Sequence, residues 1–94
     1  MNRVFKALAD PTRRRILRLL AGGEKTAGLI ASAFPLGKPA ISHHLAILKQ
    51  AGLIRCRRSG QQLHYSLNTT VLQDVAVWAL DLVSRPDSNP ESDS

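Results

Sequence analysis

The stretch that decides the fold is residues 37–50, which read GKPAISHHLAILKQ. Pro39 suits a first helical turn, because its missing N–H would have no partner within the helix there. Ile41, Leu45 and Leu48 recur at the spacing of one helical face, so the pattern predicts an amphipathic helix anchored in a core. The opposite face carries side chains that are small, polar or cationic: Lys38, Ser42, His43, Ala46 and Lys49.

That distribution is typical of a helix that reads DNA. One face of such a helix is anchored, and the other presents hydrogen-bonding and cationic side chains near the N-terminus, free of bulky apolar groups. An ordinary amphipathic helix with a solvated polar face would show the same pattern. The segments on either side of residues 37–50 therefore decide between the two interpretations.

The distribution of charge favours a polyanionic partner. The chain has 94 residues and a net charge of +6. Residues 1–85 hold all 13 basic residues but only four of the seven acidic ones, which leaves this part of the chain at +9. A body this basic favours nucleic acid, with a merely solubilising charge excess as the alternative. We predict one DNA-binding and dimerisation domain over residues 1–85 and a disordered acidic tail over residues 86–94.

The single cysteine, Cys56, excludes an intrachain disulfide and a cysteine cluster for metal. A chain this short often needs a disulfide, a metal or a partner subunit for stability, so oligomerisation is expected. One thiol also suits a reducing compartment. The first residues lack the apolar core of a signal peptide, and no apolar run is long enough to span a bilayer. These features predict a cytoplasmic protein with no membrane partner.

Three helices are predicted before residue 37. Residues 1–9 form a helix too short to be stable alone, with Val4, Phe5 and Leu8 on one side. Asp10 and Pro11 suit the cap and the first position of a second helix over residues 11–21. Its outer face carries an arginine cluster that suits either a DNA backbone or solvent: Arg13, Arg14, Arg15 and Arg18.

Thr26 suits the cap of a third helix over residues 27–34. A tight turn at residues 35–37 joins it to the helix that follows, so the two helices make a helix-turn-helix.

After residue 52 the period of the pattern changes from 3.6 to 2. Ile54 and Cys56 alternate with arginines, and Leu63, Tyr65 and Leu67 alternate with polar residues, which predicts a β-hairpin with a turn at residues 58–61. Its tip presents Arg57, Arg58, Gln61 and Gln62. A basic hairpin after a DNA-reading helix is the wing of a winged helix, which grips phosphates or the minor groove. The predicted fold class is mainly α with a small β-hairpin, a winged helix-turn-helix.

The last predicted helix covers residues 69–84, with Asn68 as its cap. It is apolar almost all round, and a terminal helix of this kind in a small domain favours a subunit interface beside the first helix. Simple core packing is the alternative. The residues predicted to form the homodimer interface are Val4, Phe5, Leu8, Val71, Val75, Trp78 and Leu82.

Three separated motifs resemble the ArsR/SmtB family of winged-helix repressors. Residues 5–17 (FKALADPTRRRIL) are similar to its opening signature. Residues 38–45 (KPAISHHL) and 48–54 (LKQAGLI) are similar to its recognition helix and the exit from it, and residues 58–60 and 65–67 to its wing. The resemblance covers roughly residues 4–83. The most similar branch is the SdpR type, whose members act as repressors, often of their own operon. One departure is Gly37, where the family often has a serine cap.

The resemblance implies a homodimer, made by the first and last helices, that binds a double-stranded DNA operator with two-fold symmetry. Carried onto this chain, it implies base or phosphate contacts by Lys38, Ser42 and His43. His44 lies nearer the apolar stripe, where a structural role is at least as well supported. The full set of predicted DNA contacts is Lys38, Pro39, Ala40, Ser42, His43, Lys49, Arg57, Arg58 and Gln61.

Many members of that family sense metals through cysteines in the third helix or through Asp and His in the last. Thr26 and Gly28 stand at the first of these positions, and the last helix has Asp74 and Asp81 but no histidine. We therefore predict no metal site and no cofactor.

No paired carboxylates or Gly-rich phosphate loop point to an enzyme. Three alternative functions stay open: a metal- or thiol-responsive sensor with a non-standard site, a winged-helix protein-interaction module, and non-specific DNA coating. For a repressor, the identity of an inducer or a protein partner that releases it from DNA stays open as well.

Overall fold

The computed structural model describes residues 1–84. Its elements are α1 (Asn2–Leu8), α2 (Pro11–Leu20), β1 (Lys25–Thr26), α3 (Ala27–Ser32), α4 (Lys38–Gln50), β2 (Ile54–Ser59), β3 (Gln62–Leu67) and α5 (Thr69–Val83). This order confirms the predicted winged helix-turn-helix. The tail predicted at residues 86–94 lies outside the described residues. Within residues 1–84, no helix has both the length and the apolar character needed to cross a bilayer.

Side-chain capping explains where α2 and α3 begin. Asp10 Oδ2 accepts a hydrogen bond of 3.0 Å from the backbone N–H of Arg13, with Pro11 in the first turn of α2. Thr26 Oγ1 accepts one of 3.2 Å from the N–H of Leu29 and so caps α3. Both predicted caps are confirmed. The bond to Asp10 is also the main reason why the pKa of this carboxyl is lowered.

The predicted cap at Asn68 is confirmed in its position but not in its hydrogen bonding. Asn68 occupies the N-cap position of α5, but its side chain makes no capping hydrogen bond. Its Oδ1 instead accepts a bond of 3.4 Å from Arg55 Nη2 on the neighbouring strand. A cationic donor competes well for an amide oxygen, because charge-assisted hydrogen bonds are stronger than neutral ones.

The sheet has three antiparallel strands in the order β1-β3-β2, so β3 is central. β1 was not predicted, because a two-residue strand is too short to show alternation. The hairpin is also tighter than expected: only Gly60 and Gln61 separate β2 from β3. Gly60 has φ +62°, a conformation that glycine adopts without strain.

The core lies between α2, α3, α4 and the sheet. Ile41, Leu45 and Leu48 of α4 are at most 4% exposed. They pack in one cluster with buried residues that include Ile16, Leu20, Ile30, Leu53 and Ile54. α5 contributes no buried residue. The helix that carries the candidate reading face is therefore rigidly anchored, whereas α5 lies on the outside of the chain.

Candidate nucleic-acid interface

The outer face of α4 is an exposed surface on an anchored helix. Lys38, Pro39, Ala40, Ser42 and His43 are all exposed and occupy the first half of α4, directly after Gly37. Lys49 is exposed too but stands seven residues beyond Ser42, about 10 Å further along the axis at 1.5 Å per residue. The structure therefore brings the first five predicted residues together at one end and leaves Lys49 at the other.

The two adjacent histidines of α4 occupy different environments. His43 is exposed, whereas the side chain of His44 is only 15% exposed. His44 Nδ1 lies 3.2 Å from Arg13 Nη1 and 3.9 Å from Asp10 Oδ2. These contacts hold the His44 ring against α2 and give it a structural role. The ring of His43 lies on the exposed face of α4.

Arg13 joins three helices through one guanidinium. Besides His44 on α4, it donates to two carbonyl oxygens at the end of α1: Nε to Ala7 O at 2.8 Å and Nη2 to Lys6 O at 3.2 Å. Arg14 Nη1 likewise donates to Leu8 O at 2.8 Å. These two arginines are thus engaged with the end of α1. The sequence predicted that the arginine cluster faces either a DNA backbone or solvent, and neither prediction includes these contacts with α1. Arg15 and Arg18 are exposed, which agrees with both predictions.

The predicted cations of the wing occupy different environments. Arg58 and Gln61 are exposed beside the β2–β3 turn, as expected. Arg57 is exposed too, but it makes a bidentate ion pair with Glu24, with distances of 3.0 Å (Nε to Oε2) and 2.7 Å (Nη2 to Oε1). Its role as a DNA contact stays a prediction, and in the free protein its guanidinium is bound to a carboxylate.

Glu24 was missed as a site residue. It is the only acidic residue between Asp10 and Asp74, and that isolation was the one available sequence signal. Hydrogen bonding from Arg57 lowers the pKa of Glu24 from its ordinary 4.5, and the same bonds raise the pKa of Arg57. Because the pKa of the Glu24 carboxyl is lowered in the folded protein, the contribution of the pair to folding stability is fully present above pH 4.5. It is lost as pH falls through the lowered pKa.

α1 and α5 together form an exposed apolar surface. The rings of Phe5 and Trp78 lie 4.9 Å apart between centroids, and Trp78 and Leu82 are 48% and 58% exposed. Val4, also predicted at the interface, is only 8% exposed and packs in the core of its own chain, so its place in an interface stays a prediction. Leu8, Val71 and Val75 are half-buried against that core. Three further apolar residues of α5 are exposed but were not among the residues predicted to form the interface: Val77, Leu80 and Val83.

The groups that bear on metal or thiol chemistry are scattered. Within residues 1–84, no three His, Cys, Asp or Glu side chains are grouped so as to hold a metal ion. Cys56 is half-buried and faces Tyr65 across the β2–β3 ladder. Burial, followed by a hydrogen bond with Cys56, raises the pKa of Tyr65. The absence of a metal site stays a prediction.

Comparison with known proteins agrees with this geometry. A family model described as "Bacterial regulatory protein, arsR family" matches residues 10–55. The transcriptional repressor SdpR of Bacillus subtilis is 58% identical over 89 residues, which cover 95% of this chain and 99% of that protein. The arsenic resistance transcriptional regulator ArsR1 of Pseudomonas putida is 42% identical over 94% of this chain and 67% of that protein. Among solved structures, an ArsR-like transcriptional regulator from Rhodococcus sp. RHA1 superimposes with a TM-score of 0.86 at 27% identity, over 97% of this chain and 84% of that one.

Proposed function

Because this chain belongs to the arsR family of bacterial regulatory proteins and is a DNA-binding transcription regulator, we propose that it acts as a homodimeric repressor. Two copies of residues 1–85 hold a double-stranded operator with two-fold symmetry. Bound there, the dimer excludes RNA polymerase from a promoter. Its place of action is the cytoplasm, where chromosomal DNA lies.

One observation carries this proposal: α4 has a buried apolar face and an exposed face of short polar and cationic side chains at its N-terminal half. In helix-turn-helix proteins, the first residues of the recognition helix contact base edges in the major groove. Ser42 and His43 are the proposed base contacts, and Lys38 reaches a base or a phosphate. Pro39 and Ala40 allow close approach, while Lys49 meets the backbone further along.

The homodimer is supported by the apolar surface of α1 and α5. Val77, Leu80 and Val83 are each more than 60% exposed in the single chain, together with Trp78 and Leu82. Several large apolar side chains exposed on one helix of a small domain are typical of a subunit interface. A closed dimer has two-fold symmetry, and it would present its two recognition helices to two inverted half-sites.

Removing the proposed base contacts should reduce sequence discrimination. Ser42→Ala and His43→Ala are each expected to weaken operator binding by about 1–3 kcal/mol and binding to random DNA far less, since only the operator offers the matched base edges. The operator is first located by genome-wide binding with the purified protein. Affinity for both DNAs is then measured by fluorescence anisotropy.

Gln50→Ala is the matched control, because it also removes a polar side chain from an exposed position of α4, at the far end. It is expected to change neither affinity. If Ser42→Ala and His43→Ala weakened operator and random DNA by the same factor, direct base readout by these residues would be wrong.

The exposed cation of the wing should act through phosphate. Arg58→Ala is expected to weaken operator and random DNA alike and to reduce the slope of log affinity against log salt by about one, since one phosphate contact releases about one counterion. Arg3→Ala removes the same charge from exposed α1 and serves as the control. If Arg58→Ala and Arg3→Ala had the same slope of log affinity against log salt, the assignment of Arg58 as a phosphate contact would be wrong.

A further inference from the structure

One face of the sheet carries a polar chain of contacts that crosses all three strands. Arg57 on β2 stands directly opposite His64 on β3, and His64 stands opposite Thr26 on β1. The Arg57 guanidinium passes this row to reach Glu24, the residue just before β1. His64 Nδ1 lies 3.6 Å from Glu24 Oε1. The carboxylate of Glu24 is thus shared by the wing's outer strand and its central strand.

The position of Glu24 in the chain shows which two parts of the fold this contact connects. Glu24 leads into β1, and β1 leads directly into α3, whose first turn is capped by Thr26. β2 is hydrogen-bonded only to β3 within the sheet. The Glu24–Arg57 pair is therefore a side-chain link, made over the top of β3, between the wing and the segment that enters the helix-turn-helix.

Charge alone gives no reason for an acid at this place. Between Asp10 and Asp74 the chain has Glu24 as its only acidic residue, in a segment otherwise rich in Lys and Arg. A carboxylate near a DNA-binding surface repels phosphates, so by charge its removal should improve binding. Its bidentate geometry with Arg57 is of the kind that fixes orientation as well as supplying attraction.

We propose that Glu24 is a positioning residue for DNA binding: it holds Arg57, and through it the wing, in the orientation that brings Arg58 and Gln61 to the duplex. Arg57 then acts through Glu24 and does not itself bind phosphate. This inference rests on the proposed function, because it assigns how the wing of that DNA interface is held.

A competing arrangement makes the opposite prediction. If Arg57 exchanged Glu24 for a DNA phosphate, Glu24 would compete with DNA for that guanidinium. Removing Glu24 would then tighten DNA binding and add about one to the salt slope, since a further cation would become available. The sign of the effect at Glu24 therefore separates positioning from competition.

The test is a double-mutant cycle on operator affinity with Glu24→Gln, Arg57→Gln and both together. Each single variant is expected to weaken binding about two- to fivefold, the range of a well-oriented exposed ion pair. For Glu24→Gln this loss occurs although a negative charge is removed. The double variant should bind the operator no more weakly than the single variant with the lower affinity. The slope of log affinity against log salt for Glu24→Gln should equal that of the wild type.

Glu24→Asp is the matched control for charge, because it keeps the carboxylate but shortens its reach by one methylene. Positioning predicts a loss like that of Glu24→Gln, whereas a purely electrostatic role predicts wild-type affinity. Circular dichroism checks that each variant is folded. Hydrogen exchange without DNA supplies an independent measurement: amides of residues 57–62 should exchange about three- to tenfold faster in either single variant, since the wing opens more often.

Tighter DNA binding by Glu24→Gln, additive losses in the double variant, or unchanged exchange in the wing would each overturn the proposal. Its failure is distinguishable from failure of the proposed function. The latter is decided by whether the wild-type protein prefers an operator to random DNA and by the variants at Ser42 and His43.

Discussion

Replacing Leu82 with aspartate is expected to convert the proposed dimer into a folded monomer. Leu82 is 58% exposed in the single chain, so a charge there meets water in the monomer. In the proposed dimer the same carboxylate would be buried without a partner, once in each copy, and such burial costs several kcal/mol. About 3 kcal/mol already weakens dimerisation about 100-fold. Light scattering after size-exclusion chromatography measures the mass, and circular dichroism the helix content.

Trp78→Asp should have the same effect with a larger loss of stability, because Trp78 also contacts Phe5 within the chain. Gln73→Asp is the matched control: it adds the same charge to α5 at an exposed position that is already polar. All variants are compared at one protein concentration, since the stability of a dimer depends on it. A folded dimer of Leu82→Asp would contradict the interface assigned to α5.

The monomer should also lose most of its operator affinity. Two linked half-site contacts exceed one in affinity by about 10²–10⁴-fold, because the second contact is effectively intramolecular. Leu82 itself lies on α5 and not on the candidate recognition helix α4, so this loss would come from the oligomeric state.

Arg13→Ala should destabilise the fold by about 2–3 kcal/mol, because hydrogen bonds from a charged donor are among the stronger ones. The substitution removes the contacts to Lys6 O and Ala7 O and leaves His44 Nδ1 without its donor. For a domain of this size, that corresponds to a fall in melting temperature of about 10 °C or more. Thermal unfolding followed by circular dichroism provides the measurement.

Arg15→Ala is the control, since Arg15 is an exposed arginine two residues further along α2. It should change stability by no more than about 0.5 kcal/mol. Arg13→Lys keeps the charge but lacks the forked guanidinium, so it should fall between the two. Equal stability of Arg13→Ala and Arg15→Ala would show that the contacts of Arg13 at the end of α1 contribute nothing.

The fold was predictable where the sequence carries a period or a cap. The stripe of Ile41, Leu45 and Leu48 predicted the buried face of α4, and the polar residues between them predicted the exposed one. Asp10 and Thr26 identified two helix starts through their capping chemistry. The change of period after residue 52 predicted the wing. In each case the signal is local, extending over a few residues.

What the sequence did not reveal depends on side chains that are distant along the chain. The partners Glu24 and Arg57 are 33 residues apart, and Arg13 and His44 are 31 apart. No periodicity links such positions. Arg57 and Arg58 look alike in sequence, yet among residues 1–84 only Arg57 makes an ion pair with a carboxylate. Val4 and Leu82 are both apolar positions of terminal helices, and only the tertiary structure separates a core residue from an exposed one.

The strand order has a consequence for how two copies can meet. Unpaired strand edges invite another chain to extend the sheet, which leads to open-ended aggregates. Here the edge strand β2 alternates Arg55 and Arg57 with half-buried or buried residues, and the other edge strand, β1, is only two residues long. Cationic side chains and very short edge strands both oppose intermolecular strand addition. Both features disfavour association through the sheet edges, which leaves the helices as the surface for the proposed dimer, an assembly that closes after two copies.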